Sequence, residues 1–183
     1  MVLLKSTAIP MGTPAPDFHL PSVDGKNYSL ASFSGAKALL VMFICNHCPY
    51  VVAVEDRIVA LQRDYGPKGV QLVGICSNDP TDYPEDRPEK LLERWKNKGF
   101  GFPYLVDLSQ EVAKTYGAVC TPDLYLFDQN QRLAYHGRID DHWQEPEKVT
   151  RQELREALDA LLAGRAPQAE QNPSMGCSIK WKK

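Results

Sequence analysis

Two cysteines separated by two residues, at the point where an apolar segment gives way to a helical pattern, constrain this sequence most. Cys45 and Cys48 lie in the segment FICNHCPY, residues 43–50. Residues 38–44 form a continuous apolar run, which is expected of a strand buried on both faces of a sheet. After the second cysteine, apolar residues recur with the spacing of one helical face as far as Tyr65. The sequence therefore predicts a strand, a short loop that carries both thiols, and a helix.

The position of Cys48 favours a reactive thiol. Pro49 fits the first turn of a helix, where its missing N–H is no loss, so Cys48 should lie at the helix N-terminus. Unpaired backbone N–H groups and the helix dipole stabilise an anion there. They lower the pKa of a thiol from about 8.5 toward the ~3.5–7.5 range of reactive cysteines. Because Cys45 is close enough to capture a mixed disulfide formed at Cys48, we expect a redox-active dithiol.

The same pair could also hold half of a metal site or consist of two inert buried thiols. Zinc usually takes four ligands, often from two such pairs, whereas the other three cysteines are isolated: Cys76, Cys120 and Cys177. A metal site would have to combine Cys45 and Cys48 with His47 or with His136. In the redox interpretation, His47 could lower the pKa of a thiol as an imidazolium, or it could be an exposed loop histidine with no catalytic task.

Several segments in this order resemble the thioredoxin-like superfamily, specifically its redoxin branch related to alkyl hydroperoxide reductase and thiol-specific antioxidant proteins. The segment GTPAPDF, residues 12–18, resembles the opening of that branch, and Asp24-Gly25 resembles its first hairpin. The segment CTPD, residues 120–123, resembles the cis-proline loop that faces the redox cysteine. Residues 176–182, GCSIKWK, are similar to the tails of a bacterial subgroup that shares the CNHCPY core.

The resemblance implies an α/β, thioredoxin-like fold with a central mixed β-sheet, helices on both faces and an N-terminal β-hairpin extension. The length suffices for one domain with a buried core. A second buried strand and an antiparallel hairpin are predicted over residues 69–75, 124–127 and 133–136. We expect a redoxin domain over residues 1–164, followed by a C-terminal tail over residues 165–183 with little periodicity that docks on the domain.

The resemblance further implies a thiol–disulfide oxidoreductase. In this mechanism the Cys48 thiolate attacks a substrate disulfide, and Cys45 displaces the reduced product from the mixed disulfide. Counting from the strand and from the helix end matches Cys48 to the thioredoxin nucleophile, although the opposite assignment, with Cys45 attacking first, stays open. Thr121 and Pro122 would bind an extended substrate segment through the backbone, as in β-augmentation.

Three further residues are candidate modulators of the site: His47, Cys120 and Cys177. Cys120 adjoins the cis-proline loop, and a docked tail could bring Cys177 toward the active site. We expect Cys45 to be the principal resolving residue, because closing a four-residue loop needs no chain rearrangement. Cys177 would have to be carried in by a mobile segment whose ordering costs entropy.

A thiol peroxidase is the main alternative, in which Cys48 passes through a sulfenic acid. In peroxiredoxins a proline and a threonine precede the peroxidatic cysteine and an arginine activates it. The matching positions here hold Val41, Cys45 and Pro122, so the peroxidase residues are missing. Arg138 could replace the arginine, or it could be a solvated residue at a strand end. An alternative of another class is a non-catalytic metal-binding or metallochaperone module.

Composition agrees with an ordinary globular protein of 43% hydrophobic and 24% charged residues. A net charge of -2 gives no electrostatic signal for nucleic acid or membrane binding. The apolar runs are too short for a signal peptide or a membrane span, and five scattered cysteines do not suggest a secreted disulfide framework.

We therefore expect a cytoplasmic antioxidant protein without an organic or metal cofactor. Its partners would be a disulfide-containing protein or small molecule and a cellular dithiol reductant. The sequence carries no signal for an oligomeric state.

Overall fold

Strands and helices alternate along most of the chain in the computed structural model, which describes residues 2–183. The strands are β1 (Leu3–Lys5), β2 (His19–Pro21), β3 (Asn27–Ser29), β4 (Ala38–Phe43), β5 (Val70–Cys76), β6 (Tyr104–Val106), β7 (Cys120–Thr121), β8 (Asp123–Asp128), β9 (Leu133–His136) and β10 (Met175–Ser178). The helices are α1 (Pro49–Tyr65), α2 (Pro88–Lys98), α3 (Glu111–Tyr116) and α4 (Glu153–Leu162). No helix within residues 2–183 has the length and apolar composition that crossing a bilayer requires.

The central sheet has five strands in the order β6-β5-β4-β8-β9. The strand pairs β4–β5 and β5–β6 are parallel, whereas β4–β8 and β8–β9 are antiparallel. Every residue of β4 is buried, as its continuous apolar run predicts for a strand covered on both faces. The sheet is mixed as predicted, and its middle strand leads directly into the loop that carries the two cysteines.

Successive residues of β4 face opposite sides of this sheet, and each side has its own apolar cluster. Leu40 and Met42 belong to the cluster that includes the buried residues of α1, α2 and α4. Leu39, Val41 and Phe43 belong to the cluster that includes α3 and the β2–β3 hairpin. The expected helices on both faces and the N-terminal hairpin are therefore confirmed. The hairpin turns at Gly25, whose φ of 84° favours glycine.

A second, smaller sheet has the order β1-β10-β7 and is antiparallel throughout. Its middle strand, β10, lies in the C-terminal tail. Cys177 is the residue that pairs with Leu3 on one side and with Thr121 on the other. Beyond β10, the Lys180 carbonyl accepts hydrogen bonds from the Asp79 backbone amide at 2.8 Å and from Gln110 Nε2 at 2.7 Å. The tail therefore packs against the end of the central sheet where the cysteine loop begins.

Candidate active site

Cys48 occupies the N-cap position of α1, where the chain changes from extended to helical geometry. Its φ and ψ are -75° and 120°, and Pro49 begins the helix. The Cys48 carbonyl accepts hydrogen bonds from the amides of Val51 and Val52, both at 3.0 Å. The Cys48 side chain has 0% exposure, so the sulfur lies at a helix N-terminus and beneath other segments of the chain.

Several hydrogen-bond donors converge on the Cys48 sulfur and lower its pKa to about 5. The largest contribution is a hydrogen bond from the Cys45 thiol, which outweighs the opposing effect of burial. Further donors are the Cys177 thiol, the Cys177 backbone amide and the Val51 backbone amide. A protonated Cys48 would instead donate to the Thr121 carbonyl oxygen, 3.1 Å away. Because the donors outnumber this one acceptor, we regard the thiolate as the favoured form near neutral pH.

Cys45 has the opposite electrostatic environment. Burial raises the pKa of its thiol well above the ordinary value, and the hydrogen bond to Cys48 and the negative charge of Asp86 raise it further. The Cys45 sulfur also lies 3.3 Å from Thr121 Oγ1. The dithiol is therefore asymmetric, with a thiolate at Cys48 and a protonated thiol at Cys45.

Thr121 lies directly against both sulfurs, and the peptide bond between Thr121 and Pro122 is cis. The Thr121 carbonyl contacts Cys48, and its hydroxyl contacts Cys45. The sequence comparison with thioredoxins predicts that an extended substrate pairs with Thr121. In the structure that edge is paired with the chain's own β10, so the expected substrate position is filled by the C-terminal tail.

Asp86 organises the cysteine loop, and sequence analysis missed it. Its carboxylate is buried and accepts hydrogen bonds from the Asn46 amide at 2.7 Å, the His47 amide at 3.3 Å, and Asn78 Nδ2 at 2.9 Å. It also lies 2.5 Å from His47 Nδ1. The Asn46 side chain in turn donates to two carbonyls of the segment around Asp86, those of Glu85 and Lys90. In the sequence, the polar composition of residues 77–88 is the signal that a loop with carboxylates lies here. It does not show which of these carboxylates contacts the cysteine loop.

His47 faces Asp86 and stacks on Tyr83, with ring centroids 4.3 Å apart. It is mostly buried rather than exposed. The largest effects on the pKa of Cys48 come from two thiols, two backbone amides and burial. The His47 Nε2 atom is buried and has no hydrogen-bond partner among residues 2–183. In this arrangement His47 helps to hold the loop against Asp86 and Tyr83.

One group of side chains within residues 2–183 has donor atoms close enough to bind a metal ion. Cys45, His47 and Asp86 offer atoms within 4.8 Å of one another. Structural zinc usually takes four ligands, and Asp86 already accepts several hydrogen bonds. His136 is not brought to Cys45 and Cys48, because its Nε2 lies 2.8 Å from the buried Asp123 carboxylate. A site that combines these two cysteines with His136 is therefore not formed.

The remaining cysteines and Arg138 occupy distinct positions. All five cysteines are thiols buried within the described chain. Burial raises the pKa of both Cys76 and Cys120, so neither is activated. The Arg138 guanidinium donates to the buried Glu153 carboxylate, with Nε at 2.8 Å, rather than to Cys48. Arg138 is thus neither a peroxidase arginine nor a freely solvated residue.

A cleft of about 280 Å³ borders the site and is lined by Pro122, by Tyr50 and Val54 of α1, and by Met175 of the tail. Tyr50 packs against Trp143 across its wall, with ring centroids 4.0 Å apart. A larger cavity, of about 740 Å³, lies elsewhere, and neither cavity has a cysteine in its lining. Of these two cavities, the smaller one has the cis-proline Pro122 in its lining.

Comparison with known proteins shows the family and the fold of this chain. The Redoxin family model matches residues 10–157. A crystal structure of an uncharacterized conserved protein from Geobacillus kaustophilus is 47% identical, with a TM-score of 0.94, and the match covers 100% of this chain and 97% of that one. A thiol-disulfide oxidoreductase, ResA, of Geobacillus thermodenitrificans is 26% identical over 70% of each chain. A candidate peroxiredoxin of Mycobacterium tuberculosis is 29% identical over 67% of this chain and 73% of its own. The chain belongs to the Redoxin family, and it combines the thioredoxin-like fold with a buried dithiol beside a cis-proline.

Proposed function

We propose that this protein is a thiol–disulfide oxidoreductase in which Cys48 is the nucleophile and Cys45 is the resolving thiol. The observation that carries this proposal is the position of the Cys48 sulfur. It lies at a helix N-cap, against the cis-proline segment, and accepts a hydrogen bond from the Cys45 thiol. The relatives named as thiol-disulfide oxidoreductases support the same reaction class.

The reaction begins when the Cys48 thiolate attacks one sulfur of a substrate disulfide. A Cys48–substrate mixed disulfide forms, and the other substrate sulfur leaves as a thiolate that takes up a proton. This step removes the negative charge from Cys48, and with it one of the causes that raise the pKa of Cys45. Cys45 can then lose its proton and attack the Cys48 sulfur, which expels the second substrate thiol. A dithiol reductant returns the Cys45–Cys48 disulfide to the dithiol.

The substrate is a protein or small molecule that presents a disulfide at the cleft beside Pro122. The aromatic pair of Tyr50 and Trp143 forms part of the wall near this cleft. We propose that this activity serves cytoplasmic thiol maintenance and antioxidant defence. In the cytoplasm, glutathione and thioredoxin keep protein thiols reduced.

Peroxide reduction is the second candidate function. It is supported by the relative from Mycobacterium tuberculosis that is named as a candidate peroxiredoxin. A thiolate at Cys48 could attack a peroxide to give a sulfenic acid. The structure offers weaker support for this reaction, because Arg138 is engaged by Glu153 and does not contact the sulfur.

The matched variants Cys48→Ser and Cys45→Ser test the assignment of the nucleophile. With oxidised glutathione as the probe, Cys48→Ser should release the first glutathione thiol at least about 10²-fold more slowly at neutral pH, because the remaining thiols are mostly protonated. Cys45→Ser should still release the first thiol, because the serine hydroxyl can replace the Cys45 thiol as a hydrogen-bond donor to Cys48. If Cys45→Ser loses the first release and Cys48→Ser retains it, the two roles are reversed.

A further inference from the structure

The C-terminal strand β10 lies where a substrate strand would lie. It pairs antiparallel with β7, and Cys177 is the direct partner of Thr121. One step further along, the Ile179 amide donates to the Val119 carbonyl at 2.9 Å. Strand addition at an exposed sheet edge is a common way for proteins to bind an extended peptide. The tail therefore binds the cis-proline segment in the manner of a peptide substrate.

The contact between the two strands is unusually close at Gly176. A Cβ atom on this residue would lie 1.9 Å from the Thr121 carbonyl oxygen, so a larger residue cannot be accommodated without displacement of the strand. The other edge of β10 is held by β1, where the Ser178 amide donates to the Val2 carbonyl at 2.9 Å. The strand is thus fixed on both edges. Sequence analysis expected Cys177 to lie on a mobile segment whose ordering would cost entropy. In the folded protein the strand that carries Cys177 is already ordered by its pairing with β1 and β7.

This pairing brings Cys177 to the reactive sulfur. Both its thiol and its backbone amide donate hydrogen bonds to Cys48. Burial raises the pKa of the Cys177 thiol to about 12, the thiolate at Cys48 adds to the increase, and Lys180 opposes it. Once Cys48 is in a mixed disulfide its charge is gone, whereas the positive charge of Lys180 remains. By contrast, the negative charge of Asp86 continues to oppose the deprotonation of Cys45.

We propose that Cys177 is a second resolving thiol, presented to Cys48 on the C-terminal strand as an internal substrate segment. The proposal rests on the assignment of Cys48 as the nucleophile. In this step Cys177 loses its proton to solvent, and its thiolate attacks the Cys48 sulfur of the mixed disulfide. A Cys48–Cys177 disulfide forms, the bond from Cys48 to the substrate sulfur breaks, and the substrate leaves as a thiolate. No additional oxidant is required, because the substrate disulfide accepts both electrons.

The variant Cys45→Ser isolates this route. After one equivalent of oxidised glutathione, it should release both glutathione thiols, and peptide mapping should find a Cys48–Cys177 disulfide. The double variant Cys45→Ser/Cys177→Ser should release the first thiol and retain glutathione on Cys48. Cys45→Ser/Cys120→Ser should behave like Cys45→Ser, because Cys120 takes no part. Retention of glutathione by Cys45→Ser as complete as in the double variant would refute the role of Cys177. Failure to release even the first thiol would instead count against the proposed function.

Gly176→Val tests the strand geometry while leaving every cysteine in place. In the Cys45→Ser background the added side chain should move β10 away from Thr121, and a misplacement of about 1 Å can slow such a step by about 10²-fold. The first release of glutathione should persist, which shows that the variant is folded. Ser178→Val, on the same strand but partly exposed, is the matched control and should resolve at close to the rate of Cys45→Ser. Equal resolution rates for Gly176→Val and Ser178→Val would contradict presentation by β10.

Discussion

The reactivity of Cys48 arises from the groups that surround one sulfur atom. Two thiols and two backbone amides donate to it, and the helix N-terminus adds a favourable dipole. The side chain of His47, which lies between the two cysteines in the sequence, is directed toward Asp86 instead. Activation therefore depends mainly on neutral donors, the largest of which is the Cys45 thiol.

This arrangement predicts the pH dependence of alkylation. Because the pKa of Cys48 is lowered to about 5, its rate of reaction with iodoacetamide should rise as the pH increases through 5 and should be constant near neutrality. An ordinary thiol, with a pKa of about 8.5, would still be gaining reactivity there. Peptide mapping after a limiting dose at slightly acidic pH should find the label on Cys48. Preferential labelling of Cys45, or a rate that continues to rise to pH 9, would contradict the assignment.

Part of the site could be predicted from local sequence and part could not. The position of Cys48 follows from the apolar run of residues 38–44 and from Pro49, which lie within one short segment. The roles of Asp86 and the position of Cys177 depend on contacts with residues far away in the chain, such as the Asn46 amide and Thr121. Hydrophobic periodicity contains no information on such pairings, so only the three-dimensional structure shows them.

At the scale of elements, the segment of residues 77–88 acts as a clamp on the cysteine loop. It contains a short 3₁₀ turn, Pro84–Asp86, that delivers one buried carboxylate to two successive loop amides. Asn78 in the same segment bridges this clamp to the tail, since its Oδ1 accepts a hydrogen bond from the Lys180 amide at 2.8 Å. The loop, the clamp and the tail are therefore held as one hydrogen-bonded unit.

Asp86→Asn should weaken this unit and change the acidity of Cys45. Loss of hydrogen bonds to a charged acceptor should lower the free energy of unfolding by about 1.5–3 kcal/mol. Removal of the negative charge should lower the pKa of Cys45, because Asp86 is one of the groups that raise it. Chemical denaturation and the pH dependence of Cys45 alkylation measure the two effects.

Asp82→Asn is the matched control, since Asp82 is exposed in the same segment and only approaches Lys183, at 3.5 Å. Exposed pairs contribute about 0–1 kcal/mol, so this variant should resemble the wild type in both measurements. An Asp86→Asn protein with unchanged stability and an unchanged Cys45 pKa would show that the carboxylate does not organise the loop.

The elements that sequence analysis predicted are those with a strong repeating pattern. The buried β4 and the hairpin of β8 and β9 have long apolar or alternating runs. The tail strand β10 is short and contains Gly176 and Ser178, which favour no particular structure. It forms because two partners, β1 and β7, offer backbone hydrogen bonds on its two edges. Tertiary pairing, rather than local preference, determines this element.

At the scale of the whole molecule, two sheets converge on one sulfur. The central sheet supplies the cysteine loop and α1 from the end of β4, and the small sheet supplies Thr121 and Cys177. Resting Cys48 is fully buried, so substrates must reach it from the cleft at Pro122 or by local movement of the tail. The Cys48 thiolate is flanked by two other thiols, and either of them can complete a disulfide exchange.

The most direct test of this account is stopped-flow oxidation of the reduced protein by oxidised glutathione and by hydrogen peroxide at equal concentrations. We expect the disulfide to oxidise the protein faster by orders of magnitude, with loss of the Cys48 thiolate as the first event. The side chains that activate peroxide in peroxiredoxins are absent from their matched positions, and Arg138 is paired with Glu153. A peroxide rate constant of about 10⁷ M⁻¹s⁻¹ or more, well above that for the disulfide, would contradict the account and identify a thiol peroxidase.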